Sequence, residues 1–253
     1  MPSPPDIGIR PFDARSLALS VLLGLPNPAL PVRALVAVAD AYGIPQGTMR
    51  TALSRMVERG ELVVDGGTYR LTGPLLERKA AQDIGRRPPL ARWDGAWWVA
   101  VVTTPTRRVG ERRRFRMTMT NHRMGELRPD TWMRPANLEG PPVIGGVALL
   151  RGELRDDDAG ALAQRLWALD ELAALGVQLA SRASDVMSEL ENHPRAAFPD
   201  AIEVTAAIVR ALRADPLLPP SLIPPAWPFD GLRVVHRELD RALGRRLTAM
   251  TGG

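Results

Sequence analysis

The sequence has no cysteine, one lysine (Lys79), three histidines and two tyrosines. The missing cysteine excludes disulfides, thiol nucleophiles and cysteine-based zinc sites, and it suits a reducing cytoplasm, where the chain is expected to reside. The histidines His122, His193 and His236 have no metal-ligand spacing and read as surface or capping residues. No run approaches the ~20 apolar residues that a membrane span requires. The segment from Ser16 to Leu25 has the apolar look of a signal-peptide core behind Arg10 and Arg15. No small-x-small cleavage site follows it, and Phe12-Asp13 looks like a helix start, so it reads as a first helix. Glycine-rich phosphate loops and nucleophile–base–orienter sets are missing too, so neither enzyme activity, nor a cofactor, nor a metal site is expected.

What the chain has is arginine. Of 253 residues, 33 are Lys or Arg and 28 are Asp or Glu, and every cation except Lys79 is an arginine. The charge is uneven, at net +3 over residues 1–91, +6 over 92–134 and −4 over 135–253. A basic front with an acidic back points to a polyanionic partner on one side, and arginine suits bidentate phosphate and guanine contacts. The length allows two or three domains, and an apolar fraction of 45% is that of a globular protein.

After a Pro-rich tail (residues 1–11), a helix is predicted from about Ala14 to Leu23. Asp13 is placed as its N-cap, with Phe12 and Leu17 as a hydrophobic staple, and Gly24 with Pro26, Pro28 and Pro31 ends it. A second helix starts after Pro31, shows Leu35, Val38, Ala39 and Tyr42 at helical spacing, and closes at Gly43. The turn Gly43-Ile44-Pro45 leads into a third helix. Met49, Leu53 and Met56, with Ala52 and Val57 beside them, make its buried stripe. Gly47, Thr51, Ser54 and Arg55 fall opposite that stripe, and Thr48 and Arg50 lie on its flanks. Gly60 ends the helix, and two β-prone runs, Leu62–Val64 and Thr68–Leu71, flank the tight-turn signal Asp65-Gly66-Gly67. Three helices and a hairpin wing make a winged helix-turn-helix, whose third helix fits the DNA major groove. The candidate DNA-contacting residues are therefore Thr48, Arg50, Thr51, Ser54 and Arg55 on the helix, with Gly66 and Arg70 on the wing.

A polar connector follows, with a boundary at Gly85-Arg86-Arg87-Pro88-Pro89. Trp93 to Thr104 is β-prone with both faces apolar, as in a central strand. Arg107 to Met119 is a basic helix candidate, and Glu126 to Arg134 and Val143 to Leu150 are strand candidates. Strand–helix–strand–strand suggests a ferredoxin-like sandwich. Arg107, Arg108, Arg112, Arg113, Arg114 and Arg116 form the densest charge cluster. They suit a solvated helix face, a DNA backbone contact, or capture of the phosphates of an effector. Trp93, Trp97, Trp98 and Trp132 read as core, as do Trp167 and Trp227. Asp156-Asp157-Asp158 looks like a capping run for helices over Leu162–Leu190, with Asp170 and Gly176 as interruptions. Two more helices, Glu203–Ala214 and Arg233–Leu247, flank a rigid Pro-rich connector from Asp215 to Gly231. The expected fold class is α+β, with a winged helix-turn-helix over 1–90, a ferredoxin-like domain over 91–157 and a helical domain over 158–253.

The segment TMRTALSRM at 48–56, followed by ERGEL, is similar to the reading helix of GntR-type winged-helix regulators. Nearly the whole chain resembles the PaaX-type transcriptional regulators, the repressor family of phenylacetic acid catabolism. The resemblance rests on ARSLALSVLLGL (14–25), IPQGTMRTALSRMVERGEL with YRLT (44–72), WDGAWWVAVV (93–102), LRPDTWMRP (127–135) and DPLLPPSLIPPAWP (215–228). It implies a homodimer on a double-stranded operator, released by an aryl- or acyl-coenzyme A ester. One departure stands out. His122-Arg123-Met124-Gly125 replaces the Gly-Phe-Gly-like turn that family members often carry before the second strand of the middle domain. The middle domain also resembles a CRISPR-adaptation nuclease, which needs an Asp at the end of its first strand. Here that strand reads Val99-Ala100-Val101-Val102-Thr103-Thr104, with no carboxylate. The alternatives to a regulator are a nucleic-acid-processing protein and an architectural DNA binder without effector control.

Overall fold

The structure is a computed structural model, and it describes residues 8–88, 91–104, 108–155 and 158–251. Contacts divide it into two compact units. Unit 1 contains residues up to Arg86, then Leu175–Leu212 and the chain from Pro228 onward. Unit 2 contains Arg87–Ala174 and Arg213–Trp227.

In unit 1, helix α1 spans Ala14–Gly24. Asp13 caps it as the sequence predicts: its carboxylate accepts from the Ser16 amide at 2.7 Å, and the Ser16 hydroxyl accepts from the Asp13 amide at 3.0 Å. Strand β1 (Ala29–Pro31) leads into α2 (Val32–Tyr42), which ends at Gly43 in the left-handed region, φ +89°. Helix α3 spans Gln46–Glu58. Strands β2 (Leu62–Asp65) and β3 (Thr68–Leu71) form the hairpin in register Asp65↔Thr68 to Leu62↔Leu71. Gly66 and Gly67, at φ +53° and +77°, supply the two left-handed residues of a two-residue turn. β1 pairs antiparallel with β3, so the wing is a three-stranded sheet in the order β1-β3-β2. The proline-rich stretch read as a helix stop therefore also contributes a strand, too short to register as one in sequence.

The polar connector is a helix. α4 spans Pro74–Arg86 and buries only Gln82 and Gly85, so no apolar stripe announces it. The predicted boundary at Gly85-Arg86 falls inside this helix; Pro88 follows it, and Pro89 lies outside the described residues.

In unit 2, β4 (Ala96–Val102), α5 (Val109–Asn121), β5 (Gly125–Arg128), β6 (Thr131–Pro135) and β7 (Val147–Glu153) build a four-stranded antiparallel sheet ordered β5-β6-β4-β7. That is the ferredoxin-like order, 2-3-1-4 counted along the chain, although residues 136–146, between β6 and β7, contain no helix. The single strand expected from Glu126 to Arg134 is two, separated by Pro129 and by Asp130 at φ +64°. The central strand β4 is covered on both faces. Ala100 packs with Phe115, Met119, Met124 and Trp132 on one side. Trp97 packs on the other with Met133, with Leu162 and Ala163 of α6 (Ala159–Trp167), and with Leu218 and Leu222. Leu222 closes a short 3-10 helix, Pro220–Leu222, so the Pro-rich signature is a piece of this core. Trp93, Trp98, Trp167 and Trp227 also pack against these clusters, in keeping with the core reading.

Asp158 caps α6 by accepting from the Ala161 amide at 2.7 Å; Asp156 and Asp157 of the predicted capping run lie outside the described residues. The helical stretch breaks at Ala168, φ +47°, and α7 (Leu169–Asn192) runs through both Asp170 and Gly176 without interruption. Helices α8 (Phe198–Ala214) and α9 (Phe229–Thr251) complete the chain, each starting several residues before its predicted boundary.

Candidate nucleic-acid interface

Helix α3 is amphipathic in the way its sequence dictates. Met49, Leu53 and Met56 are 0% exposed, while Gly47, Thr48, Arg50, Thr51, Ser54 and Arg55 are all exposed. Neither Arg50 nor Arg55 has a carboxylate partner within 4.0 Å among the described residues, so two cations stand on the outer face without internal compensation. The two hydroxyls behave differently. Thr51 donates to the Gly47 carbonyl at 2.9 Å and Ser54 to the Arg50 carbonyl at 3.2 Å, which leaves them presenting acceptor lone pairs. Each must turn away from its own helix before it can donate to a phosphate.

The helix end fixes the wing. The Glu61 amide donates to the Met56 carbonyl and the Gly60 amide to the Val57 carbonyl, both at 2.9 Å, with Gly60 at φ +68°. This paired termination swings the chain directly into β2. Thr72, just past β3, donates its hydroxyl to the Gly60 carbonyl at 2.6 Å and its amide to the Glu61 carbonyl at 3.2 Å. Arg15 of α1 grips the same junction through a two-pronged contact with Glu61, 2.6 and 3.0 Å, and this holds the Glu61 carboxyl below its usual pKa. Arg15 and Thr72 were not among the predicted site residues. Nothing in their local sequence marks them, because both act across the fold. Gly66 lies at the exposed wing tip, and Arg70 is exposed mid-strand with Val63 and Ala29 as its cross-strand partners. The structure thus places Thr48, Arg50, Thr51, Ser54, Arg55, Gly66 and Arg70 in unit 1, on the helix and the wing that meet at this braced junction.

The second arginine cluster belongs to unit 2. Arg107 lies outside the described residues. Arg108, the N-cap of α5, and Arg112, Arg113, Arg114 and Arg116 on the helix are exposed, and α5 is held to the sheet by Phe115 and Met119. Arg112, Arg113 and Arg114 are consecutive and so project about 100° apart around the helix. They are a density in sequence and not a single row. Arg116 is committed: it pairs with Glu126 at 2.8 Å and lies 5.6 Å over the Trp132 ring.

The departing turn is internal. Arg123 stands at φ +58°, in the position Gly60 takes after α3, and terminates α5 with amide bonds of 2.9 Å (Arg123 to Thr120) and 3.0 Å (Met124 to Met119). Its buried guanidinium donates to the Arg213 and Asp215 carbonyls, which offsets the unfavourable backbone. Arg134, 1% exposed, donates to the carbonyls of Pro135 (3.0 Å) and His122 (2.9 Å) and to the Asn137 side-chain oxygen (3.1 Å). Asn137 in turn donates to the Leu217 carbonyl at 2.8 Å.

Of the histidines, His193 is exposed and His122 is the half-buried C-cap of α5. His236 corrects the sequence reading: it is 3% exposed inside unit 1, where burial, reinforced by Arg86 and Arg237, lowers its pKa to about 4. Among the described residues no group of three or more His, Cys, Asp or Glu side chains is placed to hold a metal. No helix among them is long and apolar enough to cross a membrane.

Three family models match the chain in succession. Residues 13–75 match one described as a PaaX-like protein, 90–141 the PaaX protein central Cas2-like domain, and 167–249 the PaaX-like protein C-terminal domain. Among solved structures, the chain is similar to an uncharacterized protein, Rv0674, from Mycobacterium tuberculosis. The two are 34% identical, with a TM-score of 0.75, over 94% of this chain and 98% of the other. A search of curated proteins found no match.

Proposed function

Because the chain belongs to the PaaX family of transcriptional regulators, we propose that it is a sequence-specific, DNA-binding repressor that reads its operator with α3 and steadies it with the wing. The observation that carries this reading is the outer face of α3. It presents Arg50 and Arg55 uncompensated beside Thr48, Thr51 and Ser54, on a helix locked to the wing at Gly60. Arg50 and Arg55 serve guanine edges or phosphates, and Arg70 and the Gly66 tip approach the backbone. The protein acts in the cytoplasm as a homodimer on a two-fold operator with half-sites about one helical turn apart. It releases that operator on binding an aryl- or acyl-coenzyme A ester. The three sequence segments, 1–90, 91–157 and 158–253, are read as the winged helix-turn-helix, ferredoxin-like and helical parts of that regulator.

The test is binding to the promoter fragment upstream of its own gene, at fixed salt. Arg50→Ala is expected to weaken that complex by about 1–3 kcal/mol while leaving the melting temperature unchanged. Unaltered affinity would remove Arg50 from the interface. For the α5 arginines the salt slope decides: each lost DNA phosphate contact reduces it by about one. An unchanged slope with a weaker effector response assigns them to the coenzyme.

A second reading, metal-dependent nucleic-acid cleavage, draws on the Cas2-like middle domain. Against it, β4 runs out into Thr103 and Thr104, hydroxyls where such a nuclease requires an acid. No cleavage is expected with magnesium or manganese, and metal-dependent cutting would reverse this assignment.

A further inference from the structure

Unit 1 carries a half-open pocket of about 200 Å³ whose walls include no residue of α3 or the wing. Val21 and Leu25 close it on the side of α1, Phe198 and Ile202 on the side of α8, and Leu243 on the side of α9. An apolar protein cavity of about 150 Å³ accepts benzene, so this one has room for a single aromatic ring with a small substituent.

Two glycines frame the space, Gly24 at the end of α1 and Gly244 in the interior of α9. A Cβ built at either would meet no heavy atom within 4 Å. Glycine is among the worst residues for a helix interior, and here no crowding calls for it. The chain forgoes a side chain at both places and keeps the hole open. The wall is also not uniformly apolar, for Ser20, Thr205 and Asp240 contribute polar atoms. The Thr205 hydroxyl is spent on the Ala201 carbonyl at 2.7 Å, which leaves Asp240, exposed at the rim, as the charged group of the pocket.

We propose that this cavity binds a compact aromatic molecule bearing one hydrogen-bonding substituent, with the ring against Val21, Phe198 and Leu243 and the polar end toward Asp240. α1 packs on α3, and α2 packs on α9, so a guest that props α1 away from α8 and α9 moves the support of the reading helix. Occupancy then changes operator affinity. This regulatory half rests on the DNA-reading function proposed above, and the binding half does not.

Phenol is the probe, titrated into the full chain without DNA by calorimetry and ligand-observed NMR. Saturable binding at one site is expected. Gly244→Leu fills the space and is expected to weaken phenol binding at least about tenfold while melting no lower than the parent, because leucine is the better helix former. Val21→Phe, which closes the cavity from the opposite wall, is expected to do the same and covers the case in which Gly244→Leu perturbs folding. Absence of saturable binding, or unchanged binding in folded versions of both variants, overturns the site. Saturable binding with an operator affinity that phenol does not alter overturns the regulatory half alone. Failure of the phenol-free protein to bind operator DNA is a failure of the DNA-reading function and leaves the cavity result standing.

Discussion

A guanidinium taken out of water needs oxygen atoms at fixed angles, and unit 2 supplies them to Arg134 from three directions. Lysine keeps the charge but not the planar fork, and it leaves buried acceptors unpaired at about 1–3 kcal/mol each. Arg134→Lys is therefore expected to lower the urea midpoint of unfolding well beyond the change caused by Arg112→Lys on the exposed face of α5. His236 makes the second residue-scale prediction. Its folded pKa, about 4, lies below its ordinary 6.5, so below pH 6.5 the unfolded chain takes up a proton that the folded one refuses. Stability from this group is complete above pH 6.5 and falls away down to about pH 4, a loss of about 3 kcal/mol. His236→Gln should flatten the thermal stability profile over that window. An identical slope in the variant would show that other groups set it. At this scale the sequence is informative where periodicity sorts residues to one side, as with Met49, Leu53 and Met56 against Arg50 and Arg55. It is misleading where a polar residue is used inside: Arg123, Arg134 and His236 look like surface residues, Arg123 because its carbonyl partners lie some 90 positions away, and Arg134 because its acceptors, though near in sequence, are brought to it only by the fold.

Among elements, those with strong punctuation or an unbroken apolar run were legible: α1 with its cap, α2 and α3 ending in glycine, the hairpin with its two glycines, and β4. Those missed had weak signals. α4 buries too little to show a stripe and is instead laced by Lys79–Asp83 at 3.0 Å and Arg86–Asp83 at 3.2 Å. β1 is three residues long among prolines, and β5 and β6 merge in sequence because the turn between them is only Pro129-Asp130. The junction between α3 and the wing gives the element-scale prediction. Gly60→Ala places a Cβ at φ +68° and is expected to cost about 1–2 kcal/mol in a thermal melt. Gly67→Ala, at φ +77° in the wing tip, should cost a similar amount. Only the first disturbs the hydrogen bonds that set the angle between helix and wing, so per unit of lost stability it should weaken operator binding more.

At the scale of the whole molecule, sequence segments and compact units do not coincide, because α8 and α9 return to the N-terminal helices. α2 packs on α9, and the Tyr42 hydroxyl accepts from the Phe12 amide at 2.7 Å and donates to Glu203 of α8. Burial and the bond to Glu203 push the Tyr42 pKa up to about 12, so the phenol stays protonated at any working pH. A fragment ending at residue 88 keeps α3 and the wing but strips these partners from α2. It is expected to melt well below the full chain and to bind DNA less tightly, which circular dichroism and gel shift can follow in parallel. This dependence was invisible in sequence, since nothing local announces that Tyr42 meets a residue 161 positions away.

The division of the backbone has a consequence for how such proteins diversify. The polypeptide passes between the units at four junctions, after residues 86, 174, 212 and 227. A reading head attached at one junction can be exchanged between genes by a single crossover. This one cannot, because any single splice leaves part of a core behind in the other parent. If α3 reads the operator as proposed, new operator preferences in this architecture arise by substitution on its outer face, because the unit that carries it cannot move as one continuous segment.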